Sequence, residues 1–428
     1  MFTVARVVNS VHELVEHFFR HESGRLVALL TRSLGIGRLD LIEDVVQTSL
    51  MQALQTWALR GTPDDPAGWL YQTARNRAID ALRREQNHDR ILLNIANDLV
   101  AHEHIPFEPC FDEEIGDEPL RLLFLCCHES IPIESRVALA LRIVCGFSTA
   151  EIARGLLTTE MNVQKRIVRA KERLREESNA WESPGLEPLR NRLDAVLATI
   201  YLLFNEGYNS AHEAESIRRD LCEEAIRLAR MLATHPLGDH PSVHALLALL
   251  GFHAARFDAR RPASGMIVLL GEQDRTTWDW RLIRESMNWM LRSAVGDSLS
   301  RYHVEAAIAW EHCRAEAFVE TDWNQIITLY QTLQYVAPSP IHLLNQAVAE
   351  AHFHGPEVAL ATLAAIPEKD VPGNYPAWPA IVGELQFRAG NLVAAEKAWS
   401  NALALGPAPS DRNLILRKLA ECQVLHAN

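Results

Sequence analysis

An all-α fold is what this 428-residue sequence predicts, and three features carry that expectation. Apolar residues recur at three- and four-residue spacing through long amphipathic stretches. Pro and Gly cluster in short breaks between those stretches, as in Gly61-Thr62-Pro63-Asp64-Asp65-Pro66 and Trp181-Glu182-Ser183-Pro184-Gly185. Toward the C-terminus a helix-turn-helix unit repeats: Thr321, Gly355 and Gly390 stand 34 and 35 residues apart.

Composition narrows the function. Hydrophobic residues make up 48% and charged residues 23%, ordinary for a soluble globular protein, and the net charge of −13 excludes a general polyanion binder. The seven cysteines form no CxxC pair and no finger-like Cys/His spacing, and Cys126-Cys127 lies in an apolar run, so burial rather than metal or disulfide is expected. His240 and His244 have helical spacing but no matched carboxylate, so no metal is expected there. The N-terminal stretch lacks the apolar core of a signal peptide, and a reduced, cytoplasmic location is expected. No nucleotide-binding loop, nucleophile–base pair or metal cage is legible; neither an enzyme nor a cofactor is expected.

In chain order, Val11 to Leu34 and Leu41 to Leu59 are amphipathic. The second begins with Asp40, Glu43 and Asp44, where the helix dipole favours acids. It exposes Asp44, Gln47, Thr48 and Gln52, with Leu41, Val45, Leu50 and Leu54 as its apolar surface. After the Pro/Gly break, Ala67 to Glu85 sets Trp69 and Tyr71 beside Arg75, Asn76, Arg77, Asp80, Arg83 and Arg84. Aromatic rings stack unpaired bases and arginines neutralise phosphates, so this helix suits single-stranded or melting DNA. A core Trp69 with solvated arginines gives the same pattern.

Gly146 to Ala153 followed by Thr158 to Arg175 reads as a short helix, a turn capped by Thr158 and Thr159, and a basic helix. Between Lys165 and Arg175 stand six basic residues and one acid. Val163, Ile167, Ala170 and Leu174 form the opposite, apolar stripe. One face can pack on a core while the other meets phosphates and base edges, as a recognition helix in a major groove must.

The order of these segments resembles the sigma-70 family of RNA polymerase sigma factors, in its extracytoplasmic-function (ECF) group, with a tetratricopeptide (TPR)-like C-terminal extension. Asp44-Val45-Val46-Gln47 followed by Trp57 is similar to the family's region-2 helix. The resemblance implies that Asp40, Glu43, Asp44 and Gln47 contact core polymerase, on the clamp of its largest subunit, with the second-largest subunit a further partner. Trp69-Leu70 and Ala74 to Arg84 resemble the segment that opens and reads the −10 element. Phe147 to Arg175 resembles region 4, which reads the −35 element. On that mapping Asn162, Gln164 and Lys165 meet base edges while Arg166, Arg169 and Lys171 hold phosphates, although an arginine can also read guanine. The expected domains are 10–87 (region 2), 88–118 (acidic linker), 119–178 (region 4) and 186–428 (TPR-like solenoid).

The linker Asn87 to Glu118 has nine acids against one base. It reads as a solvated tether; threading toward the polymerase channels is implied by the resemblance alone. Beyond it, Leu120 to Ile143 reads as a helix pair broken at Ser130-Ile131-Pro132. In the extension, Tyr201 to Tyr208 resembles a segment of ECF factors that carry such a domain, and it reads as a helix ending at Gly207. Repeats are expected at 307–340, 341–375 and 376–409, with a solvating helix from Asn413 to Leu425. Gly265 to Leu270 reads as a short strand or buried loop. A solenoid face would bind a peptide or protein partner or the chain's own sigma domains; no membrane partner is expected. Two other readings exist: a helix-turn-helix regulator with a TPR sensor acting without polymerase, and a helical enzyme centred on Glu206 and His212.

Overall fold

The computed structural model describes residues 22–86, 117–156, 158–176, 189–208, 218–260 and 268–427. Among them the regular elements are helices, with no strand. The chain forms two compact units, Met1–Ile200 with His235–Leu237, and Tyr201–Thr234 with Gly238–Asn428. The linker expected at 88–118 falls almost wholly outside the described residues, as do His212 and the start of the Gly265 segment. Val268 and Leu269 are irregular and a 3-10 turn follows at Leu270–Glu272, where a strand or buried loop was expected; Leu269 is 40% exposed.

The first unit opens with α1, which runs through residues 22–34, then α2 (Leu39–Arg60) and α3 (Pro66–Gln86). The inward stripe of α2 is Leu39, Ile42, Val45, Val46, Ser49 and Ala53. Leu41 and Leu50 are only half-buried and Leu54 is 46% exposed, so the apolar face is rotated from the one the leucines suggest. α2 packs on α3, and each buries small residues, Ser49 and Ala53 on one and Ala74 and Ala78 on the other; small side chains permit close helix approach. The Ser49 hydroxyl donates to the Val45 carbonyl at 2.7 Å, so its burial strands no polar group.

Next come α4 (Glu118–Cys126), α5 (Ile133–Ile143), α6 (Thr149–Gly155) and α7 (Glu160–Glu176). Asp117 caps α4 by accepting from the Leu120 N–H at 2.8 Å. The expected break between α4 and α5 is present, and Arg136 ties it down by donating to the Ile131 and Glu129 carbonyls at 2.6 and 2.8 Å. Cys126 and Cys127 are fully buried, as their apolar run implied, and burial pushes the Cys127 thiol up to about 12. A side chain at Gly24 would place its Cβ 2.2 Å from the Val144 carbonyl oxygen, so α1 can lie against the end of α5 only because residue 24 has none.

The division between units falls inside α8 (Leu193–Tyr208). Residues 189–200 belong to the first unit, where the buried Arg192 donates to the Phe124 carbonyl at 3.4 Å. The second unit's share of α8 starts at Tyr201, and residues 186–188 lie outside the described residues. α8 ends at Tyr208, one residue past the Gly207 at which a helix end was expected. An added Cβ on Gly207 would meet Cys222 Sγ at 2.7 Å, so glycine there also serves close packing on the next helix.

The second unit continues with α9 (Arg219–Thr234), α10 (Pro241–Ala254), the single turn α11 (Phe257–Arg260), α12 (Trp280–Ser293) and α13 (Arg301–Arg314). All but two residues of α10 are buried, and α9, α12 and α13 pack on it. Then follow α14 (Trp323–Val336), α15 (Pro340–Phe353), α16 (Pro356–Ala364), α17 (Ala377–Arg388), α18 (Leu392–Ala404) and α19 (Pro409–Ala427), with α13 through α19 each packed on the next. The repeat glycines Gly355 and Gly390 adopt φ of 98° and 79°, a conformation that favours glycine. Ala395, Trp399 and Ala402 are buried in one cluster, and a Cβ on Gly383 would stand 2.6 Å from Trp399 Cδ1. The small and large residues of the repeat thus interlock as their spacing implied.

Candidate nucleic-acid interface

The helix-turn-helix is built by caps. Ser148 and Glu151 form a capping box at the start of α6, with the Ser148 N–H donating to Glu151 Oε2 at 2.7 Å and the Glu151 N–H to Ser148 Oγ at 3.2 Å. Thr159 Oγ1 accepts from the Asn162 N–H at 3.3 Å at the start of α7, and Thr158 Oγ1 accepts from the Asn162 side chain at 3.3 Å. Thr149 donates to Glu160 at 3.1 Å and joins the two helices. Val163, Ile167, Ala170 and Leu174 are all buried, which fixes the opposite face outward. Asn162, Gln164, Lys165 and Arg169 are exposed on it. Arg166 is half-buried and bonded to Glu134 of α5 at 2.5 Å.

On α3, Leu70, Ala74, Ala78 and Leu82 are buried, so Asn76, Asp80, Arg83 and Arg84 face solvent. Trp69 and Tyr71 are half-buried, and Trp69 meets Trp57 of α2 edge-on, with ring centroids 5.6 Å apart. Arg77 forks onto Gln52 Oε1 at 3.2 and 2.7 Å. Arg75 is 6% exposed, on the inner stripe of α3 beside Ala74 and away from the solvent-facing arginines with which it was grouped.

Asp44 and Gln47 on α2 are exposed, but Asp40 and Glu43 have partners on α7. Lys171 Nζ donates to Asp40 Oδ1 at 2.9 Å and also bonds Glu43, and Arg175 pairs with Asp40. Lys171 and Glu43 are 17% and 14% exposed, so this pair is shielded and less screened by salt than a surface pair. Cations read as phosphate-facing and acids read as polymerase-facing thus neutralise one another across 131 residues of sequence. Nothing in the order of residues signals that pairing, because each partner also fits a solvated face.

Among the described residues no group of three or more His, Cys, Asp or Glu could hold a metal ion. His240 instead caps α10, its Nδ1 accepting from the Ser242 N–H at 3.3 Å. No described helix is long and apolar enough to cross a membrane.

The sequence matches Sigma-70 region 2 over residues 18–88 and Sigma-70 region 4 over residues 121–174. Residues 192–294 match a family of unknown function, DUF6596. An uncharacterized protein of Rhizobium meliloti (strain 1021) is 37% identical over 382 residues, covering 89% of this chain and 90% of that relative. No solved structure matches. With its region-2 pair α2–α3, its region-4 helix-turn-helix α6–α7 and these matches, the chain belongs to the sigma-70 family as an ECF-like sigma factor with an additional C-terminal helical domain.

Proposed function

We propose that this sigma factor is the promoter-specificity subunit that joins core RNA polymerase, directs it to a −35 element through α7 and opens the −10 element with α3. The observation that carries this reading is the division of α7 into a buried apolar stripe and an exposed Asn162, Gln164, Lys165 and Arg169. Asn162, Gln164 and Lys165 near the helix start suit base edges, and Arg166, Arg169 and Lys171 suit phosphates. On α3, Trp69, Tyr71 and Asn76 would hold unpaired bases while Arg77, Arg83 and Arg84 follow the strand, with Asp80 beside them. Arg75, being buried, would take part only after α3 repacks. Asp44 and Gln47 offer the polymerase contact as the chain stands; Asp40 and Glu43 would join once Lys171 and Arg175 let go. No covalent chemistry is required, since binding energy stabilises the opened strand.

The C-terminal unit would set this activity by binding a peptide or protein, or the sigma domains themselves, on its TPR-like surface. Run-off transcription with purified core polymerase, on fragments upstream of the protein's own operon, tests the whole reading. Full-length protein should yield a discrete start, Asp44→Arg should lose co-purification with core, and Trp69→Ala should lose permanganate reactivity at −10 thymines while keeping duplex binding. Sequence-specific duplex binding without any association with core would mark a regulator that works apart from polymerase.

A further inference from the structure

Among the described residues, the turn that follows α10 buries positive charge without matching negative charge. Arg256 is 5% exposed. Its Nη2 lies 2.7 Å from His253 Nδ1, its Nε has no hydrogen-bond partner among the described residues, and its guanidinium carbon stands 5.9 Å from the centroid of the Trp278 ring. Arg275 approaches the same ring at 4.6 Å. Its Nη1 donates to the His312 and Ala315 carbonyls, both at 2.7 Å, at the C-terminal end of α13, and its Nη2 is buried without a partner among the described residues. Trp278 Nε1 and His312 Nδ1 are buried and have no partner among the described residues either. Arg260 lies 4.2 Å over the neighbouring Tyr208 ring.

Among the described residues no carboxylate forms an ion pair with Arg256 or Arg275; Glu320 acts on Arg275 only through its field. The imidazoles cannot supply the missing charge. Burial and the surrounding arginines push His253 well below its ordinary value and His312 down to about 3, so both are neutral. Ring faces offset part of a guanidinium's desolvation but leave its in-plane N–H groups unsatisfied. A buried charge without a counter-charge is costly, and a group of buried donors around two guanidinium planes is the complement of an oxyanion.

We propose that Arg256, Arg275 and the Trp278 indole N–H bind a small oxyanion, a phosphate or carboxylate group, within the stretch that matches the family of unknown function. The site would make the C-terminal unit a receptor for a small anionic ligand, and it does not depend on how the sigma domains bind DNA.

Hydrogen–deuterium exchange of the full chain, titrated with sodium phosphate or sodium malonate against sodium chloride at fixed ionic strength, tests this. Saturable protection of residues 253–260 and 268–279 is expected, with a melting temperature raised by roughly 5 °C at a hundredfold excess over Kd. Phosphate and malonate distinguish the two ligand chemistries, and a response to either one alone supports the site. Arg256→Gln should remove the protection; should that variant not fold, localisation in the wild type decides. Protection confined to residues 160–176, the same response to chloride, or no saturable response to either anion would overturn the proposal. So would an Arg256→Met variant that melts above wild type even in saturating phosphate, since that would mark a bare buried charge.

Discussion

Gly383 and Trp399 show how much a single atom decides in this molecule. The indole fills the space above Gly383 and its Nε1 donates to the Ala380 carbonyl at 3.1 Å, so the ring cannot retreat without breaking a bond. Gly383→Ala should destabilise the second unit by about 1–3 kcal/mol, overpacking outweighing the helix propensity gained. Chemical denaturation followed by tryptophan fluorescence measures it, and an unchanged midpoint would refute the interlock. His312 gives a pH prediction at the same scale. Its folded value is pushed down to about 3, chiefly by burial, so between its unfolded value and about 3 the unfolded chain holds the proton and the native chain does not. Stability is therefore full above the unfolded value and falls on acidification, by up to about 1.4 kcal/mol per pH unit from this group. Replacing His312 with Asn should flatten the melting temperature between pH 6.5 and 4, a window given by the reference value for His and the lowered native one. The Gly383–Trp399 pair was legible in the repeat spacing; the protonation state of His312 was not, because burial depends on helices distant in sequence.

At the scale of helices, α7 carries two kinds of cation. Arg169 is exposed, whereas Arg166 leans on Glu134 and Lys171 on Asp40 and Glu43. Arg169→Ala should weaken promoter-fragment binding at all sequences and reduce the slope of log K against log salt by about 1. Arg166→Ala should do likewise if it leaves Glu134 for a phosphate, and an unchanged slope would place it in the fold alone. Between α2 and α7, a double-mutant cycle of Lys171→Met with Glu43→Gln should return a coupling of about 1 kcal/mol, more than a fully exposed pair because both side chains are mostly covered. Additive changes would mean that the pair contributes nothing. Leu41, Leu50 and Leu54 of α2 pointed to a rotated apolar face. The buried stripe instead carries Ser49 and Ala53, small residues that permit close helix approach, a preference that hydrophobicity alone does not register.

For the molecule as a whole, the boundary between units bears on any truncation. A chain ending at Ser178 lacks the segment 189–200, whose Leu193, Val196, Leu197 and Ile200 are buried in the first unit. It should melt several degrees below a chain ending at residue 200, since each lost apolar side chain withdraws about 1.5–3 kcal/mol of burial. Equal melting temperatures by calorimetry would show that these residues do not stabilise the sigma domains.

Helical period, capping residues and the order of basic, acidic and aromatic segments determined the all-α class, the helix-turn-helix and the membership of the sigma-70 family, because each rests on residues within a few turns of one another. Tertiary structure alone decided which charges are already spent on each other, that Arg75 faces inward, that Gly207 also packs closely on the next helix, and that Arg256 and Arg275 share a ring with no counter-ion among the described residues. Those outcomes depend on helices meeting across tens to more than a hundred residues, and a local pattern records which chemistry a side chain offers but not which neighbour it will find.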